Sequence, residues 1–191
     1  FNQQLKKEHN EALDLIVSNT PDKVVIVGGL LFSNKQILNV AYVISNKRIL
    51  GITPKYNFAN GQEFNDYRYF TQPHSVDTSI LYNGYLVSIG KNIYEYKGVK
   101  FACEICHDLW VDDAPNIEYY NKGASVVFNL SASSFSVDKY KIRVSLCNEA
   151  SSRGGCYVYS SSGPSETSSD VLFDGQQIVS LFGENLLSDV T

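Results

Sequence analysis

The residues best suited to chemistry lie in the run Glu104-Ile-Cys-His-Asp-Leu-Trp. Strand-forming residues from Val99 onward end at the thiol of Cys106, and a polar turn follows at once. Open α/β sheets gather their ligands at strand ends, so the position suits a nucleophile. A backbone N–H just after such a residue can face an oxyanion. A buried structural cysteine is the competing role, since free cysteine is among the most buried residue types. Lys55, in Pro54-Lys-Tyr-Asn, follows another strand-like run. A lysine there can stabilise developing negative charge and help keep a nearby thiol ionised. An ordinary surface lysine is the commoner case. Phe128-Asn-Leu-Ser-Ala-Ser-Ser is a third strand running into a small polar turn. Ser131 and Ser133 can hydrogen-bond a substrate or cap the following helix, and capping is the commoner use.

Cys103 and Cys106 form a C-x-x-C pair, which raises zinc or redox chemistry. A structural zinc site needs two further ligands at suitable spacing. Cys147 and Cys156 do not supply a second pair, and the three histidines are scattered, so no metal is expected. There is no nucleophile-elbow G-x-S-x-G, phosphate loop or H-E-x-x-H motif.

These candidates need elements to hold them. Phe1 to Ser18 reads as an amphipathic helix. Lys23-Val-Val-Ile-Val-Gly-Gly-Leu reads as a fully buried strand, with the two glycines marking a tight exit. Ile37 to Ile52 reads as a hairpin around Ser45-Asn-Lys. Thr53 to Ser79 has no clear period but carries many aromatics, which argues for a folded loop near a site. Strands are expected at Gly84–Gly90, Ile93–Tyr96, Val99–Cys106, Ala124–Leu130 and Cys156–Ser160. Helices are expected at Ala114–Lys122 and Val137–Arg153. Val171-Leu-Phe and Ile178-Val-Ser-Leu-Phe suggest a late hairpin around Asp174-Gly175. The mixture points to a layered α/β fold with a mixed sheet.

The chain has 191 residues, which fits one domain. Lys+Arg 16 against Asp+Glu 20 gives a net charge of −4, which disfavours a nucleic-acid binder. No apolar run is long enough for a membrane helix, and the N-terminus lacks the regions of a signal peptide. Reduced thiols and a cytoplasmic location are therefore expected. The start at Phe1 rather than Met suggests a processed or partial chain.

Taken in order, a set of motifs resembles the glutaminase domain of glutamine-dependent NAD synthetases, a branch of the nitrilase (carbon–nitrogen hydrolase) superfamily. The motifs are Asn39-Val-Ala-Tyr-Val-Ile, Ile52-Thr-Pro-Lys-Tyr-Asn, Glu63-Phe, Arg68-Tyr-Phe, Glu104-Ile-Cys-His-Asp-Leu-Trp-Val, Phe128-Asn-Leu-Ser-Ala-Ser, Tyr157-Val-Tyr-Ser-Ser-Ser-Gly and Glu166-Thr-Ser-Ser-Asp. The resemblance implies a four-layer αββα sandwich with mixed sheets, here lacking its N-terminal strand and helix. It implies a Glu-Lys-Cys triad, with Cys106 as nucleophile and Lys55 as the triad lysine. The cysteine attacks the side-chain amide of glutamine, ammonia leaves, and water hydrolyses the thioester. Ser133 and Lys139 fall at glutamine-binding positions, with Lys139 in place of the usual arginine. Asp66 matches a second acidic position near the triad, usually glutamate.

Three departures accompany this. The triad glutamate falls before Phe1, which implies little or no activity for the chain as given. His107 stands where the family has a substrate-holding glutamate, and Gly61 where it has a tyrosine. The resemblance implies no cofactor in this domain. It implies ATP and Mg in a synthetase domain beyond Thr191, which would use the ammonia to make NAD from nicotinic acid adenine dinucleotide. A homo-oligomer is also implied, with no nucleic acid and no membrane as partners. Two other readings remain open. One is a different nitrilase-family amidase acting on a small amide. The other is a catalytically silent binding module, in which Cys106 is no more reactive than Cys147 or Cys156.

Overall fold

The computed structural model describes residues 3–33, 36–61, 63–73, 78–168 and 171–189. Residues 1–2, 34–35, 62, 74–77, 169–170 and 190–191 lie outside the described residues, and with them the expected helix start at Phe1 and the end of the Glu166-Thr-Ser-Ser-Asp motif. In chain order the first elements are α1 (Gln3–Ser18), β1 (Val24–Ser33), β2 (Gln36–Ser45), β3 (Arg48–Pro54), β4 (Asn60–Gly61), β5 (Phe64–Asn65) and α2 (Asp66–Tyr69). There follow β6 (Ser79–Tyr82), β7 (Tyr85–Ser88), β8 (Tyr94–Tyr96), β9 (Val99–Ile105), α3 (Pro115–Asn121) and β10 (Val126–Ser131). The last are α4 (Lys139–Ser152), β11 (Cys156–Ser161), β12 (Gln177–Leu181) and β13 (Glu184–Asp189). A 3₁₀ turn, Cys106–Trp110, leaves β9 directly.

The chain divides into two compact units, one of residues 1–56 and 66–92, the other of residues 57–65 and 93–191. In the first, β1, β2 and β3 form an antiparallel sheet in that order. The β2–β3 turn is Asn46-Lys47, both at positive φ (50° and 60°), as a two-residue hairpin with the strands' own twist requires. Leu13 and Val17 of α1, four residues apart, join Leu38, Val40, Tyr42, Ile44, Ile49, Ile52 and Val87 in the core. One expectation fails here. Gly28-Gly29 is no exit; both lie inside β1, which is mostly half-buried. At Gly29 a Cβ would come within 2.8 Å of His9 Nε2 and 3.0 Å of the Tyr42 ring. That space admits the His9 ring, whose Nε2 accepts the Leu30 N–H at 2.9 Å. A further hairpin, β6–β7, turns at Asn83-Gly84.

The second unit is built on a six-stranded sheet in the order β13-β12-β11-β10-β9-β8. β10 runs parallel to both β9 and β11, and the remaining pairs are antiparallel. Its core holds Ala102, Tyr119, Val127, Cys147, Ala150, Tyr157, Tyr159 and Ile178. The late hairpin is displaced from its expected place. It joins β12 to β13 through Phe182-Gly183, both at positive φ. Residues 171–173 are not strand. No helix among the described residues is long and apolar enough to cross a membrane.

Candidate active site

Cys106 is the first residue past β9, and its φ is +49°. A residue with a Cβ in that region costs roughly 1–2 kcal/mol, so something must hold it there. The holder is Asn129, at the middle of the neighbouring parallel strand β10. Its Oδ1 accepts the Cys106 N–H at 3.2 Å, and its Nδ2 donates to the Cys106 carbonyl at 3.3 Å. Both sides of the cysteine's backbone are thus clamped by one amide. Ser131 Oγ donates to the same Oδ1 at 2.7 Å.

The acidic residues flanking Cys106 brace the turn. Asp108 is fully buried; its Oδ2 accepts the Ile105 N–H at 3.0 Å. Its Oδ1 accepts both the backbone N–H (2.7 Å) and the side-chain amide (3.1 Å) of Asn57. Glu104 is also fully buried. It accepts bonds from the Tyr157 hydroxyl at 2.5 Å and from Asn116 Nδ2 at 3.0 and 3.3 Å. Burial, reinforced by the nearby Asp108, pushes the Glu104 carboxyl up to about 7. Asn116 Oδ1 in turn accepts from Arg153 at 2.9 Å.

Beside the cysteine is a cleft of about 340 Å³, lined by Ala59, Asn60, Gly61, Phe64, Cys106, His107, Trp110, Ser133 and Lys139. Four expected site residues, Cys106, His107, Ser133 and Lys139, therefore share one cleft. Lys139 is the first residue of α4 and is half-buried. Its ammonium donates to Ser134 Oγ at 2.9 Å and lies 5.8 Å from the centre of the Trp110 ring. Burial lowers its pKa, helped by the positive Arg143, while Glu63 opposes the shift. The Ser134 hydroxyl, the largest influence on Glu63, holds that carboxyl below its ordinary value.

Lys55 and Asp66 meet in the first unit. Lys55 lies just past β3, and its N–H donates to the Asn39 carbonyl at 2.9 Å. Its side chain is only 4% exposed, so it is no ordinary surface lysine. Its ammonium pairs with Asp66 Oδ2 at 2.5 Å.

Some site residues were not singled out from sequence. Arg143 is fully buried one turn after Lys139 on α4. It donates to the carbonyls of Ser133 (3.1 Å) and Ser134 (2.8 Å), and to Asp174 (2.6 Å) and Gln176 (3.0 Å). This explains the misread hairpin: Asp174 answers a buried guanidinium instead of forming a strand turn. The basic pair at i, i+4 was the available signal. Capping also fails as the role of the serine turn. The N-cap of α4 is Asp138, with no side-chain cap bond. Cys103 lies buried within β9, and no cluster of His, Cys, Asp or Glu among the described residues is placed to hold a metal ion.

The chain aligns with a glutamine-dependent NAD(+) synthetase of Mycobacterium tuberculosis at 30% identity over 176 residues. That match takes in 88% of this chain and 26% of the relative. The solved glutamine-dependent NAD(+) synthetase of Cytophaga hutchinsonii superposes on the whole chain with a TM-score of 0.82 at 25% identity, over 31% of that protein. An amidase from Nesterenkonia sp., of the nitrilase superfamily, superposes on 98% of the chain and 65% of its own length with a TM-score of 0.77 at 13% identity. The chain has the nitrilase fold. The nitrilase-type α/β class and the resemblance to the glutaminase domain of these synthetases are both borne out. The chain spans about a quarter of the curated relatives it matches. No protein-family model matches it.

Proposed function

We propose that this nitrilase-type chain hydrolyses the side-chain amide of glutamine through a thioester on Cys106, and so supplies ammonia for NAD synthesis. The observation that carries the reading is the clamped, left-handed Cys106 opening on a cleft with Lys139 and Ser133. In this reading the thiolate attacks the amide carbon. The backbone N–H after the cysteine stabilises the oxyanion, a task in which the resemblance gives Lys55 a share. The Cys106 N–H is already engaged by Asn129, so it is not the donor. Lys139 and Ser133 hold the α-carboxylate end, His107 borders the substrate, and Asp66 keeps Lys55 in place. Collapse expels ammonia, and water then hydrolyses the thioester. Glu104 is not the proton acceptor, because Tyr157 and Asn116 occupy its oxygens. The resemblance gives that role to a triad glutamate that no residue of this sequence matches by position.

The whole-protein role, in which ATP and Mg serve a synthetase domain that consumes the ammonia, is what the resemblance implies; its support is that the named relatives are glutamine-dependent NAD(+) synthetases. His107 and Gly61 on the cleft wall favour a second reading, an amidase for another small amide. Ammonia release separates the two. In the full-length protein glutamine is turned over far faster than propionamide or asparagine, and Cys106→Ala abolishes it. Preference for a simple aliphatic amide would replace glutaminase with the amidase reading.

A further inference from the structure

The cleft beside Cys106 takes its walls from separate stretches of the second unit. Cys106, His107 and Trp110 come from the 3₁₀ turn, and Ala59, Asn60, Gly61 and Phe64 from the segment 57–65. That segment has little of its own to hold it in place. Its strands β4 and β5 pair over two residues each, and Asn60 and Gly61 are exposed. So short a hairpin is not stable by itself. The hold comes at its foot. Asn57 gives both its backbone N–H (2.7 Å) and its side-chain amide (3.1 Å) to Oδ1 of Asp108. The other oxygen of the same carboxyl accepts the N–H of Ile105, the residue before Cys106, at 3.0 Å. Asp108 is fully buried, so these bonds are made away from water, where losing a partner is costly. One carboxyl therefore fixes the nucleophile's turn with one oxygen and a wall of the cleft with the other. A displacement of about 1 Å in a reacting site is enough to cost roughly 10²-fold in rate.

We infer that Asp108 is a positioning residue for the reaction: by holding Asn57 it sets the opening of the cleft beside Cys106. This rests on the glutaminase reading of that cleft. The test measures ammonia release from glutamine by the full-length protein and by Asn57→Ala, Asp108→Ala and the double variant. Asn57→Ala removes the side-chain bond and leaves the backbone bond and the Ile105 bond alone. It is expected to raise KM about five-fold, the worth of one hydrogen bond, with kcat changed less than about two-fold. Alkylation of Cys106 by iodoacetamide, which needs the thiol but not a fitted cleft, should keep its rate. Asp108→Ala should raise KM at least as much and also lower kcat, because it frees Ile105 as well. Both variants act through one contact, so adding Asn57→Ala to Asp108→Ala should change KM by less than about two-fold. Asn57 is half-buried, so Asn57→Ala carries the test alone if Asp108→Ala does not fold. An unchanged KM for Asn57→Ala, a kcat that falls in step with it, or KM effects that multiply in the double variant overturns the Asp108 assignment and leaves the glutaminase reading standing. A wild type that releases no ammonia from glutamine overturns the two together.

Discussion

At the scale of single residues, most of the E-I-C-x-D-L-W signature is explained by support of the cysteine. Asp108 pins the turn to Ile105 and Asn57, and Glu104 anchors the strand to Tyr157 and Asn116. Cys106 and Ser133 were legible locally, because a thiol at a strand end and a polar turn leave a trace, whereas His107 and Lys139 were reached only through the resemblance. Asn129 was not legible, because its importance lies in a bond across to the neighbouring strand, 23 residues away in sequence. Replacing it tests this. Asn129→Ala removes both backbone bonds to Cys106, which predicts a stability loss of about 1–2 kcal/mol in urea denaturation. It also predicts at least ten-fold slower modification of Cys106 by a glutamine-analogue electrophile. Unchanged modification would mean that the positive φ at Cys106 does not depend on the clamp.

At the scale of elements, α4 does more than cover the sheet. Lys139 and Arg143, one turn apart, reach the cleft and the buried segment beneath it. Periodicity located the helix to within two residues at its start, but it could not show what the helix binds. The same limit produced the misplaced hairpin. Asp-Gly is a good turn signal by itself, and only the buried guanidinium shows that Asp174 has other work. Arg143→Met leaves Asp174, 6% exposed, without its partner, and is expected to cost about 3–5 kcal/mol. Adding Asp174→Asn should recover part of that loss. A loss below about 1 kcal/mol for the single variant would show that the pair does not brace the 133–134 turn.

At the scale of the molecule, the α/β class and the order of the main strands were readable, since buried β-branched runs and glycine turns are local signals. The division into two units was not, because residues 57–65 leave one unit for the other within a stretch that has no period. A global consequence follows from Glu104. Its carboxyl rises from an ordinary 4.5 to about 7 in the folded chain, so the folded state binds the extra proton. The stabilisation is complete below about pH 4.5 and is lost as pH rises through 7. Its size is on the order of 3 kcal/mol. The wild type should therefore lose more Tm than Glu104→Gln between pH 5 and pH 8. Parallel curves for the two proteins would remove Glu104 as the source.

The central claim is that Cys106 is a glutaminase nucleophile. Its most direct test is labelling with diazo-oxo-norleucine, followed by peptide mass mapping, on the full-length protein. Selective modification of Cys106, blocked by glutamine, is the expected result. Cys147 is fully buried with its thiol pKa raised, and burial likewise raises that of Cys156, so both should stay unmodified. Modification spread over the cysteines without protection by glutamine, or none at Cys106, would contradict the account and leave a nitrilase fold without glutaminase chemistry.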